Sequence, residues 1–409
     1  MFHYHGKMYF LHRDNMANHV LFFLVSAIAL TYIAPLKAES LSDLYDHTRN
    51  QLTRINDSRP DKMERNVKAL NDWLQGPITL QASALPSHST EGTDEYEVGV
   101  FLPFKPPSVR EIDRQQSQLA HTVSAMQAQR FSLLVSGLVR QALWKRVMAQ
   151  TNYDGLLRKQ AWITALDNTM EAYLESGEID RATYLRWQQE KLSHKLAVKQ
   201  ASITLKSAVD YYHHTVGTDA LPTEVVEDVA KNASSLLQHH PELRLIALSQ
   251  QQLDINYDLA DQSLSPWTLG LIARQLRGPA GNENLLGVNI NIPISSSGTT
   301  TANDHALWQD ARNALTNALA ETYASLTWQL NEATIEYEYA NEAVNVLFQQ
   351  VHIGEEITAL YGKQQQNLPK VLWLEQLIAQ QDLRIEQEKM KVRLAEAASK
   401  INQIAGVTL

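Results

Sequence analysis

Two adjacent histidine pairs, His213-His214 and His239-His240, are the side chains best suited to bind a metal ion. Imidazole nitrogen is a common zinc ligand. Neighbouring side chains on a helix, however, point about 100° apart, which works against joint binding of one ion by either pair. Solvated surface histidines are therefore the favoured interpretation, and a metal site is the alternative.

The sequence contains no His-Glu-x-x-His motif, phosphate-binding glycine loop or Gly-x-Ser-x-Gly elbow. It has no cysteine, which excludes disulfides, thiolate metal sites, a cysteine nucleophile and a lipid-modified N-terminal cysteine. The formal net charge of −9 argues against nucleic acid as a partner. We expect no enzyme activity, no catalytic residue and no cofactor.

The N-terminal region has the composition of a secretory signal peptide. An apolar run from Val20 to Leu30 has the length of a signal core and is too short to span a membrane. Cleavage after Ala38 would remove residues 1–38. The rest of the sequence has no uncharged apolar run long enough for a transmembrane helix, so the exported chain is either periplasmic or a source of membrane β-strands.

The mature sequence is predicted to be a tandem duplication of one structural unit. Pro77-Ile78-Thr79-Leu80 reappears as Pro266-Trp267-Thr268-Leu269, and residues 98–103 resemble residues 288–293 at nearly the same offset. A proline turn at Leu221-Pro222 separates repeat 39–220 from repeat 221–409. Each repeat is predicted to contain a leading helix, two short strands and two very long helices. The leading helices are placed from about Pro60 to Leu74 and from Pro241 onward.

The four predicted strands alternate apolar and polar residues with a period of two. One face is apolar and comprises Ile78, Leu80, Val98, Val100, Leu269, Leu271, Val288 and Ile290. The other carries polar side chains such as Glu97 and Asn289, with Phe101 and Ile272 as exceptions. The apolar face would suit lipid or the core of a small soluble sandwich. Residues 87–94 and 277–284 are predicted to be exposed hairpin loops.

The long helices are predicted from Ser108 to about Ser176 and from about Asn303 to Tyr361, stretches without proline. The first is expected to turn at residues 175–178 and the second at residues 361–363, each around a glycine. One face of the later helix repeats every three or four residues, as in a coiled coil. This heptad seam comprises Leu326, Leu330, Ala333, Tyr337, Ala340, Val344, Leu347 and Val351. An ordinary coiled-coil rod is the alternative to a helical tube.

Four strands cannot close a membrane barrel, because open sheet edges leave backbone groups unsatisfied in lipid. Several copies would therefore have to pool their strands, and three copies would supply 4 × 3 = 12. Together, these features indicate one protein family. The order of elements resembles the TolC-like outer-membrane efflux proteins over nearly the whole mature chain.

Three short motifs carry this resemblance. Residues 41–45 are similar to the family's opening helix, and His240-Pro241-Glu242-Leu243 is similar to the start of its repeat. Gly177-Glu178-Ile179, followed by Leu185 and Leu192, resembles its hairpin turn. The resemblance implies a mainly α fold in which long antiparallel helical hairpins form an α-barrel. Four transmembrane strands per chain would join a 12-stranded β-barrel in a homotrimer.

The resemblance also implies a function. The chain would be the channel component of a tripartite efflux or secretion system in the outer membrane of a Gram-negative bacterium, with a large periplasmic part. It would be a passive exit duct whose partners are a periplasmic adaptor and an inner-membrane pump, which supplies the energy. The alternative is a soluble periplasmic coiled-coil adaptor or scaffold protein.

The two helical turns would form the periplasmic tip and dock the adaptor. The tip residues expected are Gly177, Glu178, Ile179, Asp180, Gly362, Leu368, Lys370 and Trp373. Well-known family members carry an acidic pair at the narrow end, where this sequence has Lys370 and Trp373. Glu375 and Asp180 are nearby acids that could substitute for that pair.

Overall fold

The computed structural model describes residues 40–56, 73–89, 91–261, 266–294, 300–363 and 370–409. The predicted signal peptide at residues 1–38 and most of the predicted helix at residues 60–74 lie outside these ranges. The elements in chain order are α1 (Leu41–Asn56), β1 (Thr79–Leu85), β2 (Asp94–Phe104), α2 (Pro107–Glu175), α3 (Arg181–Val216), α4 (Ala233–Leu237), α5 (Pro241–Asp261), β3 (Trp267–Gly278), β4 (Gly281–Asn291), α6 (Ala302–Lys363) and α7 (Lys370–Ile404).

The first long helical hairpin matches the prediction closely. Helix α2 begins with proline, which is well suited to the first helical position, and runs for 69 residues, or about 100 Å. Gly177 then adopts a φ of +74°, a left-handed conformation that favours glycine. Asp180 caps α3 by accepting a 2.8 Å hydrogen bond from the Thr183 backbone N–H.

The predicted turn of the second hairpin is wrong in position. Residues 361–363 remain helical at the end of α6, and α7 begins at Lys370. Residues 364–369, between the two helices, lie outside the described residues. A glycine inside a helix lowers the stability of the helix by about 1 kcal/mol relative to alanine. Helix α6 has 62 residues and packs along α7, so it can contain a glycine and remain helical. Within the described residues, no helix is both long and apolar enough to cross a membrane.

The long helices pack side by side in the order α3, α2, α7, α6, and α5 fits between α2 and α6. The predicted heptad seam of α6 is confirmed, because Leu326, Leu330 and Ala333 are buried in one cluster with Ile401 of α7. A second cluster holds α1 against α2 and α3. The two hairpins approach closely at Gly155 of α2, where an added Cβ would lie 3.0 Å from Ile385.

The four strands form one antiparallel sheet in the order β1-β2-β3-β4. Strands β2 and β3 pair along their whole length and so join the first part of the chain to the second. The predicted loop at residues 277–284 is wrong, since β3 and β4 continue to a two-residue turn at Pro279 and Ala280. Gly281 adopts a φ of +126° there, and the polar residues that suggested a loop are paired in the ladder.

Arg140 of α2 is the centre of a buried polar network. Its guanidinium donates two hydrogen bonds to Glu227, at 3.0 and 2.6 Å, and one to the Val407 carbonyl at 2.8 Å. Burial alone would raise the pKa of Glu227, but Arg140, Ser399 and Asn402 together hold it below its ordinary value. The network fixes the segment between α3 and α4, and the C-terminal residues, against α2.

Replacing Arg140 with methionine is expected to destabilise the protein strongly. The substitution leaves the Glu227 carboxylate partly buried without its cation, a loss of about 3–5 kcal/mol. The midpoint of thermal unfolding measures the effect. Arg158→Met is the matched control, because Arg158 pairs with Glu388 on the surface and should contribute less than about 1 kcal/mol. Equal shifts for the two variants would contradict the role assigned to Arg140.

Candidate membrane face, helical tip and open edges

The strand register places seven of the eight predicted apolar residues on one face of the sheet, and Ile78 lies just before β1. Val100 lies opposite Leu80 on one side and Leu271 on the other, and Leu271 lies opposite Val288. Ile290 pairs with Leu269 in the next row. Leu80, Leu271, Val288 and Ile290 are each more than half exposed. A contiguous exposed apolar surface of this kind marks contact with lipid or with another protein.

Aromatic residues border the apolar face. Phe104 lies opposite Trp267 at the end nearest the helices, and Tyr96 lies opposite Gln275 at the other end. Tyr96 and Phe104 are eight residues apart in β2 (104 − 96 = 8), about 27 Å along a strand. A tilt of about 40° reduces this distance to roughly 20 Å, close to the apolar band of a membrane barrel.

The opposite face of the sheet is mostly polar or small, but Phe101, Ile272, Leu276 and Leu285 also lie on it. Glu97 lies opposite Arg274 and accepts hydrogen bonds from its guanidinium at 2.9 and 2.7 Å. Phe101 lies over Gly99 and Gly270, and a Cβ at Gly270 would be 2.7 Å from the ring. Phe101 therefore breaks the polar pattern because its ring covers the space that two glycines leave open.

The first helical turn is packed around Ile179. This residue is buried in a cluster with Ile163, Met170, Trp187 and Leu374. Trp373 packs against the same cluster and is half-buried. The turn between α2 and α3 is thereby attached to the first residues of α7.

Charged side chains also join the first helical turn and α3 to the start of α7. Lys370 Nζ lies 3.5 Å from the Glu178 carboxylate and 4.9 Å from the centre of the Tyr173 ring. Glu375 instead pairs with Arg186 at 3.0 Å. Hydrogen bonds from Thr183 lower the pKa of Asp180, which acts as a helix cap. The structure therefore brings Glu178 and Lys370 together and gives the two alternative acids other partners.

Two of the predicted tip residues have little structural description. Leu368 lies outside the described residues, and Gly362 is part of the last helical residues of α6.

The histidine pairs have local partners. His213 lies 2.9 Å from Asp219, and His214 lies 2.6 Å from the Asp210 carbonyl. His240 is buried and accepts a hydrogen bond from the Glu242 N–H at the start of α5. Over the ranges that the structure describes, no three His, Asp or Glu side chains are grouped to hold a metal ion.

A buried cation between the hairpins could not be predicted from the sequence. Lys159 of α2 is only 4% exposed, and its Nζ lies 2.8 Å from Asp382 of α7 and 3.3 Å from Glu190 of α3. The nearby His194 imidazole contacts the Leu156 carbonyl at 3.0 Å. Burial, together with the charge of Lys159, lowers the pKa of His194, so this imidazole is neutral in the folded protein near pH 7.

The two outer helices carry apolar seams that face solvent. In α3 the seam consists of Leu185, Leu192, Leu196 and Ile203, each more than half exposed. In α6 it consists of Trp328, Ile335, Tyr339, Val346 and Ile353. Both follow steps of seven or four residues, the spacing of a coiled-coil contact. The edge strands β1 and β4 are exposed along their whole length as well.

Long helical hairpins continuous with a four-stranded antiparallel sheet define the fold class seen in solved outer-membrane channels. CusC, a protein that forms a transmembrane channel, matches with a TM-score of 0.66 and 10% identity over 91% of this chain and 93% of its own. The open-state MtrE channel of Neisseria gonorrhoeae gives 0.60 and 14%, covering 90% of this chain and 89% of its own.

The outer membrane protein VceC of Vibrio cholerae gives a TM-score of 0.63 and 10% identity, covering 89% of this chain and 94% of its own. Comparisons with protein-family models and with curated proteins give no match. The likeness to the solved structures therefore establishes the fold, and the chain spans nearly the full length of each of these proteins.

Acid is expected to weaken the packing of α3 against α2, within the first hairpin, through His194. Because its pKa is lowered on folding, the unfolded chain takes up a proton that the folded protein does not, so stability is lost as the pH falls below about 6.5. His194→Gln keeps an amide donor for the Leu156 carbonyl and removes the titration. Its thermal midpoint should drop less than that of the wild type between pH 7.5 and 5.5.

His214→Gln is the control for this measurement, because His214 is exposed and should leave the acid dependence unchanged. His240, whose pKa is also lowered by burial, preserves part of the acid dependence in every variant. An identical pH profile in His194→Gln and wild type would exclude His194 as a source of the acid sensitivity.

Proposed function

We propose that this chain is the outer-membrane channel component of a tripartite efflux or secretion system. It acts as a passive exit duct, and its helices extend into the periplasm. The observation that carries the proposal is an exposed apolar sheet face bounded by two edge strands, β1 and β4, that have no neighbour on one side among the described residues. The sheet is continuous with the layer of long helices. The fold of CusC, MtrE and VceC, named as channels or as an outer membrane protein, supports it.

The sheet edges support assembly into a ring. An exposed strand has a row of backbone donors and acceptors without partners, and lipid offers none. Pairing β4 of one copy with β1 of the next satisfies both edges and leaves no free strand. Three copies supply 4 × 3 = 12 strands, the number in the TolC-like proteins that the sequence resembles. We infer a homotrimer.

The helix edges support the same assembly. Strand β2 leads into α2 and β4 leads into α6, so the order of the helices follows the order of the strands. Helix α3 and strand β1 therefore lie on one side of the layer, and α6 and β4 lie on the other. The exposed seam of α3 can pack against that of α6 in the next copy. Three copies of four long helices then form a 12-helix tube.

The periplasmic tip is proposed to dock an adaptor and to set the aperture. Residues 177–180, Gly362, Leu368, Lys370 and Trp373 remain the proposed residues. Contact between Lys370 and Glu178 holds the first turn against the start of α7 in this conformation. A periplasmic adaptor and an inner-membrane pump would be the partners, and the pump would supply the energy. A soluble adaptor is disfavoured because it would leave the apolar sheet face in water.

Ile290→Arg is expected to block insertion of the sheet. The substitution places a charge on the lipid face at a cost of about 2–4 kcal/mol per site near the bilayer midplane. The protein should disappear from the outer-membrane fraction and no longer form ion-conducting pores in planar lipid bilayers. Asn289→Ser changes the adjacent residue on the other face and should insert and conduct normally. Normal insertion of both variants would refute the lipid assignment of this face.

Leu196→Glu is expected to prevent assembly of the tube. Leu196 is 71% exposed in the single chain, so the change should leave the fold of one copy intact. In the assembly, the carboxylate would be buried against α6 of a neighbouring copy at a cost of several kcal/mol. Chemical crosslinking and light scattering in detergent should report monomers. Ser193→Glu, on the same helix outside the seam, should remain trimeric; a trimeric Leu196→Glu would overturn the proposed contact.

A further inference from the structure

A small cleft opens at the edge of the apolar sheet face that lies nearest the helices. Its upper wall is formed by Leu269 and Ile290, which belong to the exposed apolar face. Its lower wall is formed by aromatic rings and by the cationic side chains of Lys105 and Arg110. The lining therefore changes from hydrocarbon to positive charge across the length of one cleft.

Backbone pairing holds the lower wall in place. The Lys105 N–H donates a 3.0 Å hydrogen bond to the Trp73 carbonyl, and Leu74 forms a bridge with Phe104. The Arg110 guanidinium lies 5.2 Å from the centre of the Trp73 ring, so the indole orients the cation. Trp73 itself is 68% exposed, and Trp267 completes the aromatic border.

The acids around the cleft pair with cations other than Arg110. Asp113 accepts a 2.8 Å hydrogen bond from Lys105, and Glu111 is paired with Arg114 at 2.9 Å. Among the residues that the structure describes, no carboxylate forms an ion pair with Arg110. Its charge is thus available to an anion in the cleft.

The opposite border of the apolar face differs. Arg277 there donates a hydrogen bond to Gln275 at 3.1 Å, lies over the Tyr96 ring and is the register partner of Asp94. Its cation therefore already has a hydrogen-bond partner and an aromatic partner within its own sheet. The available cation is therefore found at the border that lies beside the helices.

We propose that the cleft formed by Trp73, Phe104, Trp267, Lys105 and Arg110 binds the phosphate headgroup of a glycerophospholipid, with an acyl chain lying against Leu269 and Ile290. The assignment rests on the proposed function, because it needs the sheet to face lipid. Arg110 neutralises the phosphate, and the indoles occupy the interfacial zone in which tryptophan is enriched in membrane proteins. A molecule with both a phosphate and an acyl chain matches the two ends of the cleft, whereas free phosphate matches one.

The test is isothermal titration calorimetry of the full mature chain in detergent with dihexanoyl phosphatidylglycerol, a short lipid that dissolves as single molecules. Binding is expected in the wild type, and Arg110→Gln should weaken it about tenfold through loss of a charged hydrogen bond. Arg114→Gln removes a cation from the same helix outside the cleft and should leave binding unchanged. Inorganic phosphate and dihexanoylglycerol, which each carry one half of the ligand, should both bind at least about tenfold more weakly.

Three results would overturn the proposal: equal binding by Arg110→Gln and wild type, equal binding of dihexanoylglycerol, or equal binding of inorganic phosphate. Should Arg110→Gln fail to fold, Trp73→Ala removes the ring beneath the guanidinium and is expected to weaken binding in its place. Flotation of the protein with liposomes is measured separately. Loss of flotation with retained lipid binding would refute the membrane function, while normal flotation without headgroup binding would refute the cleft alone.

Discussion

Unpaired backbone groups at the two edges of the sheet are the constraint on which the rest of this structure depends. A hydrogen-bond donor or acceptor costs several kcal/mol when it meets hydrocarbon without a partner. A four-stranded sheet whose outer face is apolar cannot enter lipid alone, because β1 and β4 would each leave one side unpaired. The exposed seams of α3 and α6 set the same requirement in the aqueous part of the molecule, where apolar contact replaces hydrogen bonding.

Local periodicity explains why much of this architecture could be predicted from the sequence. Alternation along β2 and β3 identifies which side chains share a face, since successive residues of any strand point to opposite sides. The absence of proline over more than sixty residues and the heptad spacing of Leu326, Leu330 and Ala333 predict the long packed helices in the same way. These patterns depend on neighbouring residues, so no knowledge of the tertiary structure is needed.

Features that arise from distant parts of the chain could not be predicted. Lys159 looks like a surface lysine of a long helix until α3 and α7 bring Glu190 and Asp382 to it. Phe101 violates the polar pattern because Gly270, on another strand, leaves room for its ring. The turn expected at residues 361–363 was misplaced because glycine permits a bend but does not require one. The residues of the candidate tip are predicted from family resemblance, whereas the contact between Glu178 and Lys370 is seen only in the structure.

The unequal lengths of the strands determine where a closed ring of strands would be mechanically weakest. Within one copy the β2–β3 and β3–β4 ladders each span eleven residue pairs, whereas β1 offers seven residues to its neighbours. A junction between copies is bounded by that shortest strand, so it has fewer rungs than either long ladder. The β1–β2 ladder within each copy also has seven pairs. Lateral tension on the wall would therefore concentrate on both sides of β1, and a cylinder of this design would part next to that strand.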